Sequence, residues 1–344
     1  MSYKYRRLWR WVALASRALT GMVTVAAVVL GLSGFVTLKM PGESYAGPLP
    51  PLTGREWNLS ESLRNDVTAL AGKIGERSLQ KPENLEKAAE YIAQELKTAK
   101  YNVLRQRFLV NGGPCYNLEA EISGIRRPEE IVIIGANYDS PPGCPGANGN
   151  ASGVAALLAL ARDFSGANSA RTLRFVFFIN QSDTTSNPQQ NGSAAYANRC
   201  AERNEKIIAL LNIESLGFYS QDSASQRYPA PVLFFYPNTG NFIAFIGNSA
   251  SRNLVQAAVG SFRDNARFPS EGIIFPDSDH SMNFSTSRAF GECGYPALTV
   301  TDTAPFRYPY HHSELDTPSR LQYTQMARVV AGLNQIVAEL ARML

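Results

Sequence analysis

Three histidines, His280, His311 and His312, four cysteines and 29 Asp and Glu residues are what this chain of 344 residues offers for metal or acid–base chemistry. A catalytic transition-metal ion takes at least three His, Cys or carboxylate ligands plus water. The cysteines, Cys115, Cys144, Cys200 and Cys293, cannot build such a site alone, because no two lie within four residues. Their even number allows disulfides. Cys115 with Cys144 is the preferred pair, since both flank strands leading to the candidate site; buried free thiols are the other reading. A nucleophilic Ser182 would need a histidine base and an oxyanion hole, and no G-x-S-x-G elbow surrounds it.

The elements that must position these groups can be read from hydrophobic periodicity. Asn58 or Ser60 can cap a helix carrying Leu63, Val67, Leu70 and Ile74 at helical spacing. A second helix, near 82–99, carries Leu85, Ala88, Ile92 and Leu96 as its apolar stripe. Alternation through 101–110 and 116–122 predicts strands. The continuous apolar runs 131–134 and 173–179 read as strands buried on both faces, with an Ala/Leu-rich helix at 151–164 between them. Strand, helix, strand in that order implies parallel pairing in a helix-flanked sheet. Further strands are expected at 207–213, 231–236 and 297–301, and a closing helix at 321–343; the Ser/Gln/Asn cluster at 183–191 reads as a loop.

Five blocks in order carry a family resemblance. Residues 131–140 (IVIIGANYDS) and 145–153 (PGANGNASG) resemble the G-A-H-Y-D-S and P-G-A-N-D-N-x-S-G stretches of the di-zinc aminopeptidases, peptidase family 28 of the metallo class. Residues 177–182 (FFINQS) look like the stretch ending in N-E-E, and Gly192-Ser193 matches the G-S that follows. Residues 212–214 (NIE) fit the next ligand position. Residues 308–318 (YPYHHSELDTP) resemble the Y-H-x-x-x-D-T-P block. The resemblance covers about residues 60–344. It implies a three-layer α/β/α domain around a mixed, mostly parallel sheet.

The resemblance also assigns roles to single positions. The ligand histidine falls on Asn137 and the bridging aspartate on Gly149. The general-base glutamate falls on Gln181 and a further ligand on Ser182. Glu214 and His312 keep ligand-type side chains. Neutral amide oxygens suit zinc poorly, and glycine offers nothing. Two adjacent cations need anionic bridges, and an amide cannot take a proton from water. The chain is therefore expected to bind no cofactor and to have no catalytic residues, its vestigial positions being Asn137, Gly149, Gln181 and Ser182. Zinc enters only under the alternative, an active exopeptidase with a rebuilt or single-metal site. Asp139, Asp183, Asp277, Asp279, His280 and His311 are the candidates for rebuilding. Asp139 reads instead as a loop carboxylate bonded to backbone amides, and Ser278-Asp-His280 as inherited scaffold.

Charge and hydropathy place the domain. The net charge is +4, but Lys4, Arg6, Arg7, Arg10 and Arg17 precede the first acid, Glu43, and without them the body is near neutral. No basic stripe remains for nucleic acid. Residues 18–38 form an uncharged run of 21 residues, long enough for a hydrocarbon core of about 30 Å. The run exceeds the apolar region of a signal peptide, although Ser44-Tyr-Ala46 offers a cleavage-like site. The expected organisation is a cytoplasmic basic segment at 1–17, a transmembrane helix at 18–38, a Pro/Gly linker at 39–57 and an extracytoplasmic domain at 58–344. The positive-inside rule puts the N-terminus in the cytoplasm and the domain on the periplasmic side of the cytoplasmic (inner) membrane. Expected partners are the bilayer and other membrane or periplasmic proteins. Ala27 and Gly31 have small-xxx-small spacing, and Trp57, Tyr219, Tyr228 and Tyr236 could form a binding surface or simply pack.

Overall fold

The apolar runs at 131–134 and 173–179 lie at the centre of an eight-stranded sheet, covered by helices on both faces. In this computed structural model the described residues are 20–21, 39–110, 113–179, 191–228, 236–275 and 285–343. The helices are α1 (Gly54–Val67, running on in a wider turn to Ile74), α2 (Pro82–Thr98), α3 (Ser152–Phe164), α4 (Gly192–Glu202), α5 (Arg252–Asn265), α6 (Ser285–Glu292), the short α7 (Ala304–Arg307) and α8 (Tyr323–Ala341). The strands are β1 (Val103–Val110), β2 (Gly113–Ile122), β3 (Arg127–Asn137), β4 (Arg171–Phe178), β5 (Lys206–Ile213), β6 (Ile243–Asn248), β7 (Ser270–Phe275) and β8 (Ala297–Thr301).

Strand order across the sheet is β1-β2-β4-β3-β5-β8-β6-β7. The central pairs β4–β3, β3–β5 and β5–β8 are parallel, as is β6–β7; β1–β2, β2–β4 and β8–β6 are antiparallel. The parallel block β4-β3-β5-β8 therefore ends on one side, and Asn137, Phe178, Ile213 and Thr301 reach the same rim. The strand pattern explains the burial. Val132, Ile134 and Ala136 of β3 enter a large core with Leu157, Leu160 and the inner faces of α1, α2, α5 and α8. Ile131 and Ile133 face the opposite way, into a second core with Tyr196, Cys200 and Phe290 from α4 and α6. Two-sided burial is why the run has no polar alternation.

The mixed, helix-flanked sheet agrees with the sequence reading, and most elements fall within three residues of their expected ends. Beside β3, which begins at Arg127 ahead of its apolar run, the first helix is the exception. It starts at Gly54, earlier than Asn58 or Ser60 would allow, because Thr53 and Glu56 form a reciprocal capping box. The strand expected at 231–236 lies almost entirely outside the described residues, and β6, α5 and β7 follow it instead. Met40–Leu344 form one compact unit. Residues 40–53, read as linker, make no helix or strand but lie against the domain. Arg263 donates to the carbonyls of Pro41 (3.1 Å) and Gly42 (3.0 Å), Arg328 donates to that of Pro50, and Ser44 Oγ accepts from Ser270 N at 2.9 Å. Among the described residues no helix is long and apolar enough to cross a membrane. Apart from Thr20 and Gly21, the 18–38 run lies outside them, as do Ala27 and Gly31.

Candidate functional site

The site is built where β3, β5 and β8 end, the usual place for a cleft in a parallel sheet. Asn137 closes β3 and is buried. Its amide is engaged at both ends: Nδ2 donates to Asp139 Oδ1 at 3.3 Å, and Oδ1 accepts from Asn150 Nδ2 at 3.0 Å. Asn150 also donates to Ile213 O (2.9 Å), while its Oδ1 accepts from Ser215 N (2.9 Å) and Gly153 N (3.1 Å). One asparagine thus ties the end of β3 to the end of β5. A hydrogen-bonded amide is poorly placed to turn its oxygen toward a cation.

Gly149 has φ −113° and ψ 78°, so glycine is not demanded by its backbone. A Cβ built there would lie 3.8 Å from Asp316 Oδ2 and 4.0 Å from His312 Cδ2, with nothing closer. The position faces the site, and there is room for a side chain. Its amide donates to Asp316 Oδ2 at 3.1 Å, alongside Asn148 N to Oδ1 at 2.8 Å and the Tyr308 hydroxyl to Oδ1 at 2.9 Å. Gly146, by contrast, needs to be glycine: at φ +63° a Cβ would come within 2.6 Å of Ser140 Cβ.

Glu214 follows β5, and its carboxylate accepts from Asn212 Nδ2 at 3.3 Å. Burial, with the charges of Asp139 and Asp302 adding to it, pushes this carboxyl up to about 7. Asp302, at the end of β8, is pushed up to about 6 by the same desolvation. His312 adopts φ +54°, and its ring stacks on His311 at 3.8 Å. Burial lowers the pKa of both imidazoles; His311 falls to about 4, with the neighbouring His312 contributing. Both rings are thereby held toward the neutral form.

Arg77 is the residue that sequence reasoning missed. It is fully buried, and its guanidinium donates to five backbone carbonyls: Leu70 (3.1 Å), Gly75 (2.7 Å), Tyr138 (2.8 Å), Pro145 (2.6 Å) and Gly146 (3.0 Å). Its own amide donates to Ser140 Oγ at 2.9 Å. It therefore clamps both ends of the loop between Asn137 and Gly149. Desolvation lowers its pKa to about 10, with Asp139, Cys144 and Asp316 opposing, so it stays charged. Nothing in its local sequence marks this role.

The other expectations resolve as follows. Asp139 is buried and accepts from the Asn137 side chain. Cys115 and Cys144 are free thiols, and so are Cys200 and Cys293, so the proposed disulfide is not formed. Tyr219 is buried, Tyr228 and Tyr236 pack on each other at 5.9 Å, and Trp57 is exposed. Gln181, Ser182, Asp183, Asp277, Asp279 and His280 lie outside the described residues.

Residues 117–337 match the model of peptidase family M28. The chain belongs to that family. It is 30% identical over 282 residues to the uncharacterized protein YfbL of Escherichia coli, covering 79% of this chain and 86% of that protein. Among solved structures it resembles a zinc aminopeptidase from Bacillus subtilis (TM-score 0.61, 14% identity, 81% of this chain and 94% of that one). It also resembles a Zn-dependent exopeptidase from Parabacteroides distasonis (TM-score 0.58, 15% identity, 81% and 97%). At such identities the structures speak for the fold alone.

Family membership corrects the expectation of no cofactor: the proteins of this fold that the chain resembles are described as zinc enzymes, so zinc, and not none, is the cofactor to test. The described residues do not fit a pair of zinc ions. Glu214 and His312 are ligand-type, Asn137 is an engaged amide, and position 149 has no donor. Among the described residues no group of three or more His, Cys, Asp or Glu is arranged to hold a metal.

Proposed function

We propose that this M28 homologue binds rather than hydrolyses. In this reading residues 18–38 hold it in the cytoplasmic membrane, the domain stands on the periplasmic side, and it serves as a binding module or accessory subunit of a membrane protein complex. The observation that carries the loss of hydrolysis is the pair Asn137 and Gly149. The first is locked by Asn150 and Asp139, and the second is an unfilled place facing His312 and Asp316. Gln181 adds to it, because an amide cannot serve as general base, a contribution of about 10²–10⁴-fold. The apolar run and the flanking positive charges support the membrane assignment.

The test is hydrolysis of aminoacyl chromogenic substrates by the full chain supplied with zinc, beside the zinc bound per chain. No turnover above background is expected, and gentle detergent extraction should recover the protein with other membrane components. A steady rate that His312→Ala abolishes would overturn this reading. It would support the second one, an exopeptidase with a single zinc, which the ligand-type side chains at Glu214 and His312 favour. Those two residues would supply two of the three or more ligands such an ion takes, and zinc there would polarise a bound carbonyl and acidify water.

A further inference from the structure

Behind the Gly149 segment lies a second group of buried polar side chains, which shares only Asp302 with the candidate site. Asp302 is fully buried; its Oδ2 accepts from Asn148 Nδ2 at 2.9 Å and from Phe218 N at 2.8 Å, the Ala304 amide also favours the charged carboxylate, and Oδ1 makes no close hydrogen bond. Arg307, also buried, donates through Nε to Gln226 Oε1 at 2.7 Å and through Nη1 to Phe242 O at 2.8 Å, and its Nη2 has no partner. The hydroxyl of buried Tyr219 is the third such atom. Among the described residues six buried side-chain atoms lack a partner, and half of them belong to these three residues.

The three are neighbours. The Arg307 guanidinium carbon lies 6.0 Å from the centre of the Tyr219 ring. The charge of Asp302 acts on both Tyr219 and Arg307. Yet no ion pair within 4.0 Å joins Asp302 to Arg307 among the described contacts. Buried donors and acceptors almost always find partners, and when side chains do not meet, an internal water commonly makes about three bonds between them.

We propose that Asp302, Arg307 and Tyr219 form a built hydration site for one internal water. The water donates to Asp302 Oδ1 and accepts from Arg307 Nη2 and the Tyr219 hydroxyl. The chemistry selects water over an ion: Arg307 repels a cation and Asp302 repels an anion, whereas water both donates and accepts. All three atoms are closed to bulk solvent, which excludes a larger molecule. The site joins the loop after β5, the end of β8 and α7. Through Asp302 and Asn148 it reaches the backbone of Gly149. Arg307 also lines a cavity of about 310 Å³ with Phe218, Ser220, Arg227 and Tyr308, so the water couples that cavity wall to the Gly149 segment.

A crystal structure of the full chain at a resolution that shows ordered water should reveal one peak within hydrogen-bond distance of all three atoms. A direct Asp302–Arg307 contact, or an empty gap, overturns the proposal. In solution, oxygen-17 relaxation dispersion should count one fewer long-lived water in Tyr219→Phe than in the parent; an equal count overturns it. The melting midpoint should fall by about 2 °C in Tyr219→Phe. Because Arg307→Met can fail to fold, the conservative Tyr219→Phe variant carries the test. Where both fold, their losses should combine to less than the sum, since both act through one water, and strict additivity counts against it.

Discussion

Two parts of the cleft have diverged. The loop from Asn137 to Gly149 has its polar groups paired, through Arg77, Asn150, Ser140 and Asp316, and offers little donor chemistry. The facing positions, Glu214 and His312, keep ligand-type side chains, and both have pKa values displaced toward the neutral form by burial. The frame is thus held by bonds that do not depend on a metal ion. A frame of this kind tolerates changes in the side chains set on it, so the two can change separately.

The largest effect expected is on the frame. Arg77→Met would take away the donor of the Gly75, Tyr138 and Pro145 carbonyls and one of two donors at Leu70 and Gly146, and a loss of about 4 kcal/mol in urea unfolding is expected. A loss below about 1 kcal/mol would mean that the loop holds itself. Asn150→Ala removes the tie between the ends of β3 and β5, whose ladder remains, and should cost about 2–3 kcal/mol in the same measurement.

The facing side is sharpened by pH. The carboxyl of Glu214 titrates near 7 in the fold but near the ordinary value of about 4.3 when unfolded, so between these values the native state holds the extra proton. The contribution of Glu214 to stability then falls as pH rises from about 4.5 to 7 and levels off above it, against the rise that the lowered His311 and His312 bring over the same range. Glu214→Gln should flatten this part of the stability–pH curve; an unchanged slope would place the titration elsewhere, with Asp302 the next group to examine. The smallest effect is expected at the open position. Gly149→Ala should change stability by less than about 1 kcal/mol, because the added methyl meets nothing closer than 3.8 Å. Gly149→Asp combined with Asn137→His should raise the zinc bound at equilibrium dialysis. No gain would show that the frame itself no longer fits the ion.

Much of this could be read from the sequence, for identifiable reasons. The two-sided burial of β3 and β4 leaves uninterrupted apolar runs, and the site blocks sit at strand ends where spacing is fixed by the sheet. Arg77 could not be found, because its partners are carbonyls that carry no sequence signal and are contributed by separate loops. β6 and β7 carry little signal because each is only six residues long, with a glycine inside; α4, α5 and α6 were not expected either. The early start of α1 was legible in Thr53 and Glu56, whose three-residue spacing is the signal of a capping box. Zinc was set aside on the substituted positions alone, and family membership restored it.

The docked segment 40–53 has a consequence for handling the protein. β7 is the outermost strand of the sheet, with Ser270 N taken by Ser44 Oγ and Gly272 O by the Tyr236 hydroxyl at 3.0 Å. Met40 lies so close to Gly272 that a Cβ there would come within 2.6 Å of its side chain. Trimming the chain to Gly54 would strip this cover and bare a strand margin able to recruit another molecule, so fragments meant to stay in solution should begin at or before Met40.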